Sequence, residues 1–137
     1  MSDDLKTAMA ISATGMRAQG FRLKIVAQNI ANVSSTADRT GGDPYRRKIV
    51  TFENVLNREL NAKTVRIQKV NEDPSDFRLK YDPTHPAADE KGMVQLPNVN
   101  TLVETMDMRE AQRSYEANLS MIEASKNLVS RTIGLLR

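Results

Sequence analysis

The sequence predicts a mainly α fold: long N- and C-terminal helices packed as a coiled-coil-like pair, with a small β-containing, irregular middle segment. Three observations carry this. Residues 5–31 and 100–136 contain no proline, which leaves two long stretches free to remain helical. In both, apolar and small residues recur at alternating three- and four-residue steps. The segment between them is rich in Gly, Pro, Ser and Asp and carries short β-branched or alternating runs.

The first helix is expected over residues 5–31, with Asp3 or Asp4 as its N-cap and both acids favourable beside the positive helix end. Its seam runs through Met9, Ser12, Met16, Gln19, Leu23, Val26, Ile30 and Val33. A second stripe lies at Ile11, Gly15, Ala18 and Ile25. The result is a wide buried face, roughly 40 Å long at 1.5 Å per residue. Gly15 and Gly20 each cost about 1 kcal/mol against Ala inside a helix, which is tolerable where a neighbouring backbone comes close.

The middle runs from Asn32 to about Asn98. Residues 34–44 read as a loop centred on Gly41-Gly42-Asp43-Pro44. Strand-like runs follow at 48–52, at 64–70 and around Phe77, Leu79 and Tyr81, with a short helix expected over 53–60. Residues 82–91, with two prolines and four charges, read as an exposed loop.

The second helix is expected over 100–136. Asn100 or Thr101, with Glu104 close behind, resembles a capping box. Its seam is Met108, Ala111, Tyr115, Asn118, Ile122, Ser125, Val129, Thr132 and Leu136. Beside it run Ala117, Met121, Ala124, Leu128 and Leu135. A helix of about 54 Å with so wide an apolar face exceeds what this chain can cover alone. The chain therefore divides into a helical core domain, built from 1–33 and 99–137, and an insert over 34–98.

Composition agrees with an incomplete core. Hydrophobic residues make up 39%, aromatics 4%, and Trp is absent. Burial energy scales with apolar area, so a core of Ala, Met, Val and Leu stabilises weakly and leans on partners. The net charge is +3 and spreads evenly along the chain, at +2 over 1–33, +1 over 34–98 and zero over 99–137. Arg46-Arg47-Lys48 is the one basic cluster, and Tyr45 is its only neighbouring aromatic. Nucleic-acid binding gains no support.

The chain has no cysteine, which excludes disulfides and thiolate chemistry. No apolar stretch follows the acidic amino end, so neither a cleaved secretory signal nor a membrane span is expected. His85 is the single histidine. Neither it nor Asp82, Asp89 and Glu90 falls at a metal-ligand spacing, and no phosphate-binding glycine loop occurs. Glu104, Asp107 and Glu110, interleaved with Arg109 and Arg113, read as a solvated face with i,i+3 and i,i+4 pairs. No catalytic residue, cofactor or metal site is expected. A soluble helical adaptor or export-chaperone-like module is the alternative to a structural role.

Several motifs, in order along nearly the whole chain, resemble those of flagellar axial proteins, and specifically the flagellar basal-body rod protein family. Ser12-Ala13-Thr14-Gly15-Met16-Arg17-Ala18-Gln19 and Ala27-Gln28-Asn29-Ile30-Ala31-Asn32-Val33 are similar to the family's N-terminal signature. Arg113-Ser114-Tyr115-Glu116-Ala117-Asn118 matches its C-terminal element. Pro44-Tyr45-Arg46-Arg47, Tyr81-Asp82-Pro83-Thr84-His85-Pro86 and Pro97-Asn98-Val99-Asn100, with the short length, narrow the likeness to the proximal rod class. The resemblance implies a subunit exported by the flagellar type III apparatus without signal cleavage. It would join FlgB, FlgF, FlgG, FliE and its own copies in a hollow helical shaft crossing the periplasm. It also implies roles for particular residues. Asn29 and Asn32 would cap the first helix's C-terminal end, and Tyr115 and Asn118 would anchor the helix pair. The helix-pair and subunit interface would run through Met9, Met16, Leu23, Val26, Asn29, Ile30, Asn32, Val33, Met108, Tyr115, Asn118, Ile122, Val129 and Leu136.

Overall fold

A computed structural model describes residues 2–135. The element order is α1 (Ser2–Ala31), β1 (Lys48–Asn57), β2 (Ala62–Glu72), β3 (Arg78–Tyr81), β4 (Met93–Leu96) and α2 (Thr101–Leu135). Two long helices thus enclose, in sequence, a middle of two small sheets. The expected seam residue Leu136 lies outside the described residues.

Helix α1 starts earlier than its apolar pattern does. Asp3 and Asp4 lie in its first turn rather than at its N-cap, where their charge still complements the helix dipole. At the other end the Asn32 side chain donates Nδ2 to the Gln28 carbonyl (2.8 Å), a second donor to an acceptor that the Asn32 backbone N–H also meets (3.1 Å).

The middle departs from expectation at two places. Residues 53–57, expected in a short helix, instead extend β1. β1 and β2 pair as a two-stranded sheet, and a link of only four residues, 58–61, can join only antiparallel neighbours. Asn61 takes φ 46° in that link, a left-handed conformation that Asn tolerates better than most residues. Pairing outweighs the helical composition of 53–60: Thr64 Oγ1 donates to the Val55 carbonyl (3.1 Å) and Arg66 Nε to Glu53 (2.9 Å). The second departure is β4, which the sequence pattern did not mark. It pairs antiparallel with β3 in the register Arg78–Leu96 to Tyr81–Met93. The expected loop 82–91 is the connection, closed by Asp82 N–H to the Gly92 carbonyl (2.9 Å). Gly92 has φ +74°, and any side chain there would strike the Tyr81 ring and Pro83.

Helix α2 begins as expected at Asn100, whose Oδ1 accepts from Leu102 N (3.0 Å) and Val103 N (3.4 Å). The capping box is not formed. The Glu104 carboxylate is fully buried elsewhere, and capping falls to Asn100 alone.

The chain forms two compact units. Among the described residues, one comprises 2–23, 51–69 and 109–135; the other comprises 24–50 and 70–108. Buried Ser12, Ala18, Ala111 and Ser125 belong to the first, while Ile25, Val26, Asn29, Val94, Val99 and Glu104 belong to the second.

Candidate functional site

In the first unit the two helices touch through small residues. A Cβ placed on Gly15 would stand 3.0 Å from Asn118 Nδ2, and one on Gly20 would stand 3.9 Å from the Tyr115 ring. Arg22 Nη2 lies 3.6 Å from Glu110. Contacts that climb α1 while descending α2 make the pair antiparallel. What approaches the glycines is side chain, not the backbone that the sequence suggested. Asn118 is held in place by donating Nδ2 to the Ser114 carbonyl (2.9 Å).

Burial along α2 follows the expected seam closely. Ala111 and Ser125 are buried, and Met108, Tyr115, Asn118, Ile122 and Val129 are half-buried, whereas Thr132 is exposed. On α1, Met9, Met16 and Leu23 are half-buried, as are Ile30, Asn32 and Val33; Val26 and Asn29 are buried. The second stripe of α2 lies open: Met121 is 52% exposed, Leu128 53% and Leu135 88%. Ala117 and Ala124 between them are also exposed.

The second unit holds a polar hub that sequence reasoning missed. Glu104, at 0% exposure, accepts from Arg47 Nε and from Asn29 Nδ2 (3.0 Å). Arg47 also reaches Asp73 through Nη1 (3.3 Å) and Asp107 through Nη2 (3.4 Å). One guanidinium therefore uses three separate nitrogens on three carboxylates, which a Lys ammonium cannot reproduce. Asn29 does not cap α1. Its Nδ2 donates to the Lys48 carbonyl (2.9 Å), and its Oδ1 accepts from Lys48 N (2.9 Å) and from the Tyr45 hydroxyl (2.8 Å). Asn98 completes the hub: Oδ1 accepts from Arg47 N (2.8 Å) and Nδ2 donates to the Asp73 carbonyl (3.0 Å). Arg46 stacks its guanidinium over Phe77 at 4.1 Å from the ring centroid and donates to the Asp73 and Ser75 carbonyls. The basic cluster that read as a solvated turn is thus a structural clamp. Glu104 and Asp107, which read as a solvated face, are its acidic half, and Glu110 pairs with Arg22 rather than with its own helix.

Electrostatics follow from this enclosure. Burial, and then the nearby Glu104 and Glu72 carboxylates, push the Tyr45 hydroxyl above the usual phenol range. Burial opposes the Arg47 charge, but the hydrogen bonds and charges of Glu104 and Asp73 outweigh it and hold the guanidinium more firmly protonated. Asp73 is held below the usual carboxylate range by the Ser75 backbone N–H and hydroxyl and then by Arg47, against the opposing effect of burial.

Nothing in the hub is arranged for chemistry. His85 Nδ1 accepts from Ala87 N (3.0 Å), and Nε2 meets Thr36 Oγ1 at 3.2 Å, so the ring tethers two loops. Among the described residues no three His, Cys, Asp or Glu side chains are grouped to hold a metal ion. No described helix is long and apolar enough to cross a membrane.

A buried clamp and an uncovered helical stripe are features of a subunit, and the chain's relatives say which. The family model described as flagellar basal body rod FlgEFG protein C-terminal matches residues 90–135. The flagellar basal-body rod protein FlgC of Agrobacterium fabrum is 50% identical over 135 residues, spanning 98% of this chain and 97% of the relative. The chain belongs to the FlgC family of flagellar basal-body rod proteins. FlgC proteins of Aquifex aeolicus (42% identical; 94% of this chain, 95% of the relative) and Bacillus subtilis (37%; 92% and 94%) are similarly related along their length. This FlgC-family chain is a structural subunit of the flagellar basal-body rod, not an enzyme, and the adaptor alternative is not favoured by any of these relatives.

One sequence signal could have exposed the hub. Stepping back four residues along the seam from Met108 reaches Glu104, and Asn29 lies three residues past Val26. Two polar side chains at apolar seam positions call for a buried polar partner.

Proposed function

We propose that this subunit builds the proximal rod by helical assembly with FlgB, FlgF, FlgG, FliE and further copies of itself, forming a hollow shaft that crosses the periplasm and transmits torque. It reaches that place through the flagellar type III apparatus, without cleavage. The helical core from 1–33 and 99–137 packs as a coiled-coil-like pair, and 34–98 forms the insert. The residues expected at the interface, Met9, Met16, Leu23, Val26, Asn29 and Ile30 on α1, Asn32 and Val33 just past its end, and Met108, Tyr115, Asn118, Ile122 and Val129 on α2, serve first to hold the pair together; Leu136, also expected there, lies outside the described residues. Neighbours then cover what the pair leaves open.

The single observation that supports this reading is the stripe Met121–Leu128–Leu135, about half or more exposed along its length. An apolar ridge of this kind is costly in water and favourable between subunits. Close packing around it would carry torque because packed interiors deform little. Mass spectrometry of purified hook–basal bodies tests the assignment. The chain should be present in them, and a strain lacking its gene should build no rod, hook or filament. Intact rods without it would overturn the reading.

A further inference from the structure

The fold sorts charge that the sequence distributes evenly. Among the described residues the first unit carries eleven Lys/Arg against seven Asp/Glu, a net of +4, whereas the second carries eight against ten, a net of −2. Each unit also offers an apolar feature beside its excess charge. In the first, an open groove of about 300 Å³ is lined by Thr14, Arg17 and Ala18 of α1 and by Val65, Arg66 and Ile67 of β2. Arg17 and Arg66 are exposed at it, Arg66 already paired with Glu53, and half-buried Val65 and Ile67 supply its accessible apolar surface. In the second, β3 presents Leu79 at 62% and Tyr81 at 68% exposure on one face of the strand. The adjoining turn carries Asp82, Asp89 and Glu90. Asp82 and Asp89 are engaged within the turn, accepting from Thr84 Oγ1 and from Lys91 N and Met93 N. Glu90 is exposed.

We infer that the Arg17–Arg66 groove of one copy receives the Leu79–Tyr81 strand face and Glu90 of a second copy. The apolar groups of β3 meet Val65 and Ile67, and Glu90 meets Arg17. Charge complementarity selects this occupant: a like unit would bring +4 against +4, and juxtaposed like charges oppose association. The tyrosine ring suits a groove flanked by guanidinium groups, over which aromatic faces stack. Because groove and strand face lie on different units of the same chain, the contact is heterologous. Repeated, it propagates copies in one direction rather than closing a pair. This rests on the reading that copies adjoin one another in the rod, and it names the surfaces that do so.

The test is sedimentation of the purified chain at low and high salt. The wild-type chain should self-associate at low salt and dissociate at about 1 M, where charges are screened within about 3 Å. Arg17→Glu and Glu90→Lys should each weaken association by about tenfold or more, with circular dichroism unchanged as a folding control. Mixing these two variants should restore pairing, because the intact strand face of the first meets the intact groove of the second. Leu79→Ser should weaken association without changing its salt dependence. A wild-type chain that stays monomeric at low salt, association indifferent to salt, or a mixture no better than either variant alone would overturn the inference. Detection of the chain in basal bodies is scored separately, so the proposed contact can fail while the rod assignment stands.

Discussion

Arg47 and Glu104 are worth most as a pair, because Glu104 is fully buried and half-buried Arg47 is the cation that reaches it. An ionised carboxylate without access to water is stabilised only by opposite charge and hydrogen bonds. Glu104 has these from Arg47 and Asn29. Arg47→Met should therefore cost about 3–5 kcal/mol of unfolding free energy, seen as a lower urea midpoint. Arg47→Lys should recover only part of the loss, since an ammonium cannot span three carboxylates. Replacing Arg47 and Glu104 together by Met and Leu should be far milder than Arg47→Met alone, because no charge is then stranded.

Asp73 gives the hub an acid limit. Its folded pKa is depressed, so the unfolded chain takes up a proton at higher pH than the folded one. The stability it contributes is present in full above the ordinary carboxylate value near 4. That contribution falls away as pH drops through the lower, folded value. Asp73→Asn should flatten this limb of a stability-versus-pH curve while leaving the neutral-pH helix signal intact. An unchanged slope would show that the Ser75 and Arg47 contacts contribute nothing to the linkage.

Among the elements, the helix pair makes different demands on its two glycines. At Gly20 a methyl group would meet Tyr115 at an ordinary 3.9 Å, so Gly20→Ala should stabilise by up to about 1 kcal/mol through helix propensity. At Gly15 the same methyl would press on an Asn118 amide already tied to Ser114. Most of that gain should be lost there, and Tm should rise less than for Gly20→Ala. The start of α2 is equally specific. Removing the cap with Asn100→Ala should cost about 1 kcal/mol, because Glu104 is committed to Arg47 and cannot substitute for it.

For the whole molecule, the proposed assembly makes folding and association separable, because it assigns them different faces of α2. The seam of α2 is spent inside the chain, whereas Met121 and Leu128 are left outside it. Leu128→Glu should change the stability of the isolated chain by no more than about 0.5 kcal/mol, yet exclude it from purified basal bodies and abolish motility. Ile122→Glu, on the half-buried seam, should instead lower stability itself. Equal effects of the two on stability would contradict the division of faces.

The sequence by itself determined the two helices, their seam and the surplus apolar stripe, because helical periodicity is a local property written at three- and four-residue spacing. It also located the first half of β1 and most of β2 and β3, whose runs alternate or are β-branched, and the Asn100 cap. It could not show that 53–57 would join β1, since strand pairing overrode a helix-compatible composition. Nor could it mark β4, four residues long and dependent on β3 for its hydrogen bonds. Only the tertiary structure decided that Asn29 meets Glu104 across a sequence separation of 75, that Arg47 is a clamp rather than a solvated turn, and that evenly spread charge collects into units of opposite sign. Those outcomes depend on which distant segments the fold brings together, and periodicity along a chain holds no record of that.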